Sequence, residues 1–80
     1  MERRRRKSEI PPEIIALGER IGFIIKEKNL KTREVAHNAD MDVENLRKYI
    51  KGRQEMKVST MLKIANALEV PVADLFLEIN

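Results

Sequence analysis

The stretch DVENLRKYIKGR, residues 42–53, concentrates side chains that could make polar contacts with a charged partner. Four cations occupy its last seven positions, and a fifth lies four residues further on: Arg47, Lys48, Lys51, Arg53 and Lys57. Such groups donate hydrogen bonds to anionic oxygens, and the phosphates of nucleic acids are one partner that suits them. Cations on an amphipathic helix are also commonly no more than a solvated face. Both interpretations stay open at this point.

Side chains suited to catalysis are scarce in this chain. It has one histidine, His37, and no cysteine. The candidate nucleophiles are hydroxyl groups: Ser8, Thr32, Ser59 and Thr60. A hydroxyl nucleophile needs a positioned base, and no glycine-rich phosphate loop or metal-ligand spacing accompanies these residues. The sequence therefore predicts a protein that is not an enzyme, with no cofactor and no metal site.

The positive charge of the chain is concentrated at its start. Residues 1–7 carry five cations and one acid, a net charge of +4, whereas residues 8–80 carry eleven cations and twelve acids, a net charge of −1. We expect residues 1–10 to be a flexible basic arm, which either contacts nucleic acid or only aids solubility. The cations of this arm are Arg3, Arg4, Arg5, Arg6 and Lys7.

Residues 11–80 are long enough for one small domain with a single core. The basic arm is not the start of a signal peptide, because Pro11 and Pro12 follow it and Glu19 and Arg20 interrupt the next apolar stretch. The absence of cysteine is also compatible with a reducing compartment. We therefore expect a cytoplasmic protein.

Apolar residues recur at helical spacing throughout the domain, which predicts an all-α fold of five helices. The first helix should span about residues 12–28 and begin at the two prolines. Its inward positions are Ile14, Leu17, Ile21, Ile24 and Ile25. Gly18 and Gly22 lie within this helix, and we expect them to allow another helix to approach closely.

Two short helices separated by a tight turn should follow. The first covers about residues 32–38. In the turn, Asp40 can adopt a left-handed conformation and Asp42 can cap the next helix. That helix covers about residues 42–50, and Gly52 ends it. Two short helices joined by such a turn form a helix-turn-helix arrangement.

A fourth helix should begin near Ser59, and a fifth should follow Pro71. The inward positions expected for these two helices are Met61, Leu62, Ile64, Ala65, Leu68, Leu75, Phe76 and Ile79. Of the apolar residues near the C-terminus, Phe76, Leu77 and Ile79 are the best candidates for contact with a second copy of the chain.

Two segments carry a resemblance to a known family. LGERIGFIIKEKNLKTREVAHNADMDVENLRKYIKGR and VSTMLKIANALEVPVADLF are similar to the phage Cro and repressor type of helix-turn-helix domain, also called the XRE type. The resemblance runs from about residue 17 to residue 76, some three quarters of the chain. It rests jointly on the REVA motif, the spacing from Leu46 to Gly52, and the LKIANALEV and DLF motifs.

The resemblance implies a lambda-repressor-like domain that binds double-stranded DNA, with the helix of residues 42–50 in the major groove. Residues that match or adjoin the family's base-reading positions are Val43, Glu44, Asn45, Arg47 and Lys48. Residues that match or flank its phosphate contacts are Thr32, Arg33, Lys51, Arg53 and Lys57. The implied function is that of a small transcriptional regulator, which binds a palindromic operator as a homodimer. No small-molecule ligand is evident from the sequence.

Three features depart from the family pattern. The family often has a buried ion pair between arginine at position 25 and glutamate at position 50, whereas this chain has Ile25 and Ile50, which we expect to touch. Met56 stands where proline is common. Lys31 stands where a hydroxyl group usually caps a helix, and it cannot accept a hydrogen bond.

Two other functions remain open on the sequence alone. The nearly neutral domain suits a protein-interaction module, such as the antitoxin partner of a toxin, that binds DNA mainly within a complex. Alternatively, the basic arm could hold DNA or RNA without regard to sequence. Binding of that last kind should fall steeply as the salt concentration rises.

Overall fold

The computed structural model describes residues 10–77, and within that range the chain forms helices joined by short connections. In chain order these are α1 (Pro12–Glu27), α2 (Thr32–Asn38), α3 (Val43–Ile50), α4 (Val58–Leu68) and the 3-10 helix η1 (Val72–Phe76). The all-α fold is confirmed. The expected fifth α-helix is instead the 3-10 helix η1. Its five residues follow Pro71 and make fewer than two turns, and 3-10 geometry is common in segments of this length. Residues 1–9 and 78–80, which include the cations of the arm and Ile79, lie outside the described residues.

The core combines the apolar faces of all these helices. Its largest fully buried side chains come from α1, α3, α4 and η1: Ile21, Leu46, Ile64, Leu68 and Leu75. The short helix α2 adds Val35 and Ala36. Helices as short as α2 and α3 are not stable alone, so their burial against α1 and α4 holds them in place. None of the helices in residues 10–77 combines the length and apolarity of a membrane span.

Two residues expected to face inward are exposed. Leu62 in α4 is 51 % exposed, and Phe76 in η1 is 61 % exposed. The buried residues of α4 already fill its contact with the rest of the core, so Leu62 lies at the edge of an apolar stripe wider than that contact. Successive residues of a 3-10 helix point roughly 120° apart, so Phe76 turns to solvent while Leu75 enters the core.

The close approach expected at the two glycines of α1 is confirmed. A Cβ at Gly18 would overlap the carbonyl oxygen of Tyr49 and lie 2.7 Å from that of Ile50. A Cβ at Gly22 would lie 3.1 Å from Cγ2 of Ile50. The last turn of α3 therefore packs its backbone into a groove that α1 leaves open by lacking side chains there. Ile25 is buried and Ile50 is half-buried, and their direct contact stays a prediction.

The turn between α2 and α3 has the expected backbone. Asp40 is left-handed, with φ of 60°, and the N–H of Met41 donates to the carbonyl of Ala36 at 3.0 Å. Asp42 occupies the capping position of α3, but its carboxylate makes no capping hydrogen bond, contrary to expectation. This side chain is exposed, and water competes there with the backbone N–H groups for the carboxylate. Backbone hydrogen bonds therefore hold the turn.

Two cations from the α1 region fix the C-terminal part of the fold. Nζ of Lys28 donates to the carbonyl oxygen of Leu68 at 2.7 Å and lies 3.5 Å from that of Glu69. These carbonyls end α4, where the helix dipole favours a cation. Nε of Arg20 donates to the carbonyl oxygen of Asp74 in η1 at 2.7 Å. Both α4 and η1 are thus anchored to the first helix.

Candidate nucleic-acid interface

α3 presents a buried face and an exposed face. Leu46 is fully buried, and Tyr49 and Ile50 are half-buried against the core. These positions are three and four residues apart, so they lie on one side of the helix. Four polar residues of α3 are exposed and form what we call the polar face of α3: Glu44, Asn45, Arg47 and Lys48. The core thus fixes the orientation in which α3 offers polar groups to a partner.

The polar face of α3 contains four of the five residues predicted to read bases. The fifth, Val43, is half-buried and packs against the core, so only part of it is open to a partner. The polar face combines one carboxylate, one amide, one guanidinium and one ammonium group, and hence both donors and acceptors. The eight residues of α3 make a rod about 12 Å long. A helix of this kind fits the major groove of B-form DNA.

A salt bridge joins two residues of the polar face. Nη1 of Arg47 lies 2.9 Å from Oε2 of Glu44, with both side chains at the surface. It is the one salt bridge formed between residues in the described range 10–77. The predicted roles of these two side chains were independent of each other. Their spacing of three residues on a helix was the signal that could have revealed the pair.

Two of the residues predicted to hold phosphate lie at the start of α2. Thr32 is half-buried and Arg33 is exposed. Lys31 occupies the capping position with no side-chain capping hydrogen bond, as expected from its lack of an acceptor. The backbone N–H groups of the first turn of a helix have no partners within the helix. An anion at this end of α2 would therefore meet unpaired N–H groups and the guanidinium of Arg33.

Three further residues predicted to hold phosphate follow α3. Lys51, Arg53 and Lys57 are all exposed. Gly52 is left-handed, with φ of 69°, and its N–H donates to the carbonyl of Tyr49 at 3.0 Å. The expected helix stop at Gly52 is therefore confirmed. The chain reverses there, which keeps Lys51 and Arg53 beside the C-terminal end of α3. The predicted arm contacts, residues 3–7, lie outside the described residues.

The charges around α3 are polarised along the helix. Asp40, Asp42 and Glu44 lie before or in its first turn, and its cations lie in its last turn and beyond. This order is favourable for the helix dipole. It also means that a polyanion along α3 would meet acids at one end and bases at the other. Within residues 10–77, no three acidic or histidine side chains come together to hold a metal ion.

An apolar groove that the sequence pattern did not predict lies between α1 and η1. Its volume is about 460 Å³. The residues lining it are Glu13, Ala16, Leu17, Glu19, Leu75, Phe76 and Leu77. Phe76 and Leu77 are more than half exposed at its edge. The groove is a surface where another polypeptide could bury apolar area. We call it the α1–η1 groove.

Comparisons with solved structures find the same fold in other proteins. The restriction-modification controller protein C.AhdI from Aeromonas hydrophila is similar with a TM-score of 0.79 and 21 % identity, over 82 % of this chain and 100 % of that chain. The clp gene regulator ClgR from C. glutamicum gives a TM-score of 0.77 and 26 % identity, over 81 % of this chain and 84 % of that one. The hypothetical transcription factor NHTF from Neisseria gives a TM-score of 0.75 and 23 % identity, over 88 % of this chain and 84 % of that one.

Comparisons of sequence give the family. No curated protein sequence matches the chain. A family model described as the Cro/C1-type HTH DNA-binding domain matches residues 20–77, which include α2, α3, α4 and η1 and the second half of α1. This match agrees with the resemblance found in the motifs and with the fold. The chain belongs to the Cro/C1-type helix-turn-helix DNA-binding domain family.

Proposed function

We propose that the protein is a small transcriptional regulator that binds a palindromic operator as a homodimer, with α3 in the major groove. The observation that carries this proposal is the polar face of α3, which is exposed while the opposite side of the helix is anchored in the core. The names of C.AhdI, a controller protein, and ClgR, a gene regulator, support regulation as the role.

Each side chain of the polar face has a base edge that suits it. Asn45 can form two hydrogen bonds with adenine, and Lys48 can donate to guanine. Glu44 can accept a hydrogen bond from N4 of cytosine, and the exposed part of Val43 can contact a thymine methyl group. Arg47 can donate to guanine through its planar guanidinium. The proposed role of α3 is therefore direct readout.

The phosphate contacts would frame α3 on both sides. Arg33 and Thr32 at the start of α2 would hold one strand, and the cations after α3 would hold the other. Such contacts fix the orientation of a protein on the duplex without reading its sequence. The arm of residues 1–10 would add contacts along the backbone or in the minor groove.

A homodimer would place two copies of α3 on successive turns of the duplex. The α1–η1 groove supports this arrangement, because no residue of α2 or α3 lines it. A second copy docked in the α1–η1 groove would therefore cover neither α2 nor α3 substantially. A two-fold dimer uses the same surface on both copies and requires a palindromic site. Half-site centres should lie about 34–36 Å apart, one turn of B-form DNA.

The test is selection of bound duplexes from a random pool at moderate salt, with the full chain and with residues 8–80 in parallel. Enrichment of the same palindromic motif by both proteins would support the proposal, because readout then depends on the domain. Retention of unselected DNA by the full chain alone would contradict it, because the arm would then be the binding element.

A second candidate function is that of a protein-interaction module, such as an antitoxin-like partner, that binds DNA mainly in complex. The α1–η1 groove favours this candidate because it offers apolar surface to a partner. Purification from the native cell distinguishes the two functions. A module of this kind should co-purify with a stoichiometric protein partner, and alone it should bind the selected duplex poorly.

A further inference from the structure

We propose that Glu44 and Arg47 act as one unit that reads a single C·G base pair, in which Glu44 both contacts the cytosine and positions Arg47 on the guanine. This inference rests on the proposed function, since it requires α3 to lie in the major groove. It goes further by assigning one base pair to two side chains jointly, rather than one base to each.

The salt bridge is the observation that carries this proposal. The two side chains are three residues apart on α3, and their charged ends meet at 2.9 Å at the surface. The contact uses Nη1 of Arg47 and Oε2 of Glu44. A guanidinium has five N–H donors in a planar fork, so Nη2 and Nε keep their donors for another partner. The other carboxylate oxygen, Oε1, is not part of the contact.

The remaining groups of the pair match the major-groove edge of a C·G base pair. Guanine offers two acceptors there, O6 and N7, and cytosine offers the donor N4–H₂. Nη2 and Nε of Arg47 meet the guanine while Oε1 of Glu44 accepts from the cytosine. The salt bridge holds the acceptor and the donors side by side before DNA arrives. Less side-chain freedom is then lost on binding.

The same arrangement disfavours base pairs that place thymine or guanine opposite Glu44. Thymine opposes the carboxylate with an acceptor, O4, and with its C5-methyl group. Guanine facing Glu44 in a reversed pair would likewise place acceptors against the carboxylate. An acid that misses its donor lies close to the phosphates, where it lowers affinity. Glu44 therefore contributes to specificity mainly by exclusion, and Arg47 by attraction.

The pair also limits binding to DNA of unrelated sequence. An unpaired arginine on α3 would be drawn to any nearby phosphate, which adds a sequence-independent contact. Glu44 competes with phosphate for this guanidinium and repels the phosphate as well. Removing the carboxylate should therefore release Arg47 to the backbone. Loss of an interface side chain usually weakens binding. Loss of the Glu44 carboxylate should instead strengthen binding to DNA of unrelated sequence.

The test compares the full chain with Glu44→Gln, Arg47→Gln and the double variant. Each protein is used to select bound duplexes from the random pool. Dissociation constants are then measured on the selected duplex and on duplexes in which another base pair replaces the C·G pair. Each single variant should lose a preference of about tenfold at the same C·G pair. The double variant should lose no more than either single variant, because the two residues form one unit.

Glu34→Gln is the matched control, because Glu34 is an exposed acid on α2 that forms no salt bridge within residues 10–77. It makes the same change in net charge. On DNA of unrelated sequence, Glu44→Gln should steepen the dependence of log affinity on log salt by about 0.9, the increment for one added phosphate contact. Glu34→Gln should leave that slope unchanged.

Three outcomes would overturn the inference. Losses at different base pairs, or losses that add in the double variant, would mean that the two residues read independently. A Glu44→Gln profile identical to that of Glu34→Gln would mean that only net charge matters. Failure of the unmodified chain to enrich any motif would instead overturn the proposed function, and the inference with it.

Discussion

At the scale of single residues, the proposed function assigns different roles to two similar cations, Lys48 and Arg53. Both are exposed and only five positions apart. Lys48 belongs to the polar face of α3, whereas Arg53 follows Gly52, after the chain has reversed. In the proposed complex, the ammonium group of Lys48 would contact base edges, whereas the guanidinium of Arg53 would contact mainly backbone phosphates.

We expect Lys48→Ala to relax the preference at one position of each half-site, with a loss of about 1–3 kcal/mol against the preferred base. Arg53→Ala should weaken binding to all sequences by a similar factor and should lower the salt slope by about one. Both effects are measured as dissociation constants on the selected duplex and its single-base variants. An unchanged preferred sequence in Lys48→Ala would show that this residue does not read bases.

At the scale of helices, the sequence predicted the bounds of the helices well and the contacts between them less well. The bounds of α1 and α2 are almost as expected, because apolar spacing and the prolines act locally. The inward orientation predicted for Leu62 and Phe76 was wrong, because a periodic pattern identifies the apolar face of a helix but not how much of that face other helices cover. The salt bridge between Glu44 and Arg47 was not predicted, because each side chain was assigned a partner in DNA.

The packing of α1 on α3 makes a prediction that separates its two glycines. Gly18→Ala should lower the free energy of unfolding by at least about 2 kcal/mol, because its Cβ would meet backbone carbonyl oxygens that cannot move independently of α3. Gly22→Ala should change it by less than about 1 kcal/mol, since Ile50 Cγ2 can shift and alanine favours helix.

Chemical denaturation of the two variants measures this difference. The substitutions are identical and lie one turn apart, so helix propensity cancels in the comparison. Equal stability of Gly18→Ala and Gly22→Ala would contradict the close contact between α1 and the end of α3.

The start of α2 offers a stabilising change. Lys31 occupies the capping position without a capping hydrogen bond, so Lys31→Ser should raise the free energy of unfolding by about 0.5–1 kcal/mol. Lys26→Ser, which removes a cation from the last turn of α1 without creating a cap, is the control and should not stabilise. Thermal or urea denaturation provides the measurement. A lower stability of Lys31→Ser would mean that the serine hydroxyl does not reach the backbone.

At the scale of the whole molecule, the α1–η1 groove and the polar face of α3 belong to different helices. In the proposed homodimer, this separation would allow one surface to pair with another copy while the other meets DNA. It also makes the two activities separable by mutation. The sequence predicted Phe76 and Leu77 as contact residues but not the groove beside them, because the groove depends on how η1 lies across α1.

If the proposed dimer uses the α1–η1 groove, Phe76→Ala should weaken dimerisation by at least about tenfold, because a large exposed apolar side chain at the edge of the groove would no longer be buried between copies. Affinity for the palindromic duplex should fall with it. Leu62→Ala is the control, since Leu62 is also about half exposed but does not line the groove. Analytical ultracentrifugation over a range of protein concentrations measures the dimer. Unaltered association of Phe76→Ala would place the dimer surface elsewhere.

The burial of Leu75 has a consequence for biosynthesis. This side chain is completely inaccessible to solvent, and beside it Arg20 reaches the Asp74 carbonyl across 54 positions of the chain. Contacts within the α2–α3 unit are local and form quickly, whereas those of η1 with α1 close a long loop. During synthesis, the helices made first therefore expose part of their apolar surface until residue 75 has left the ribosome.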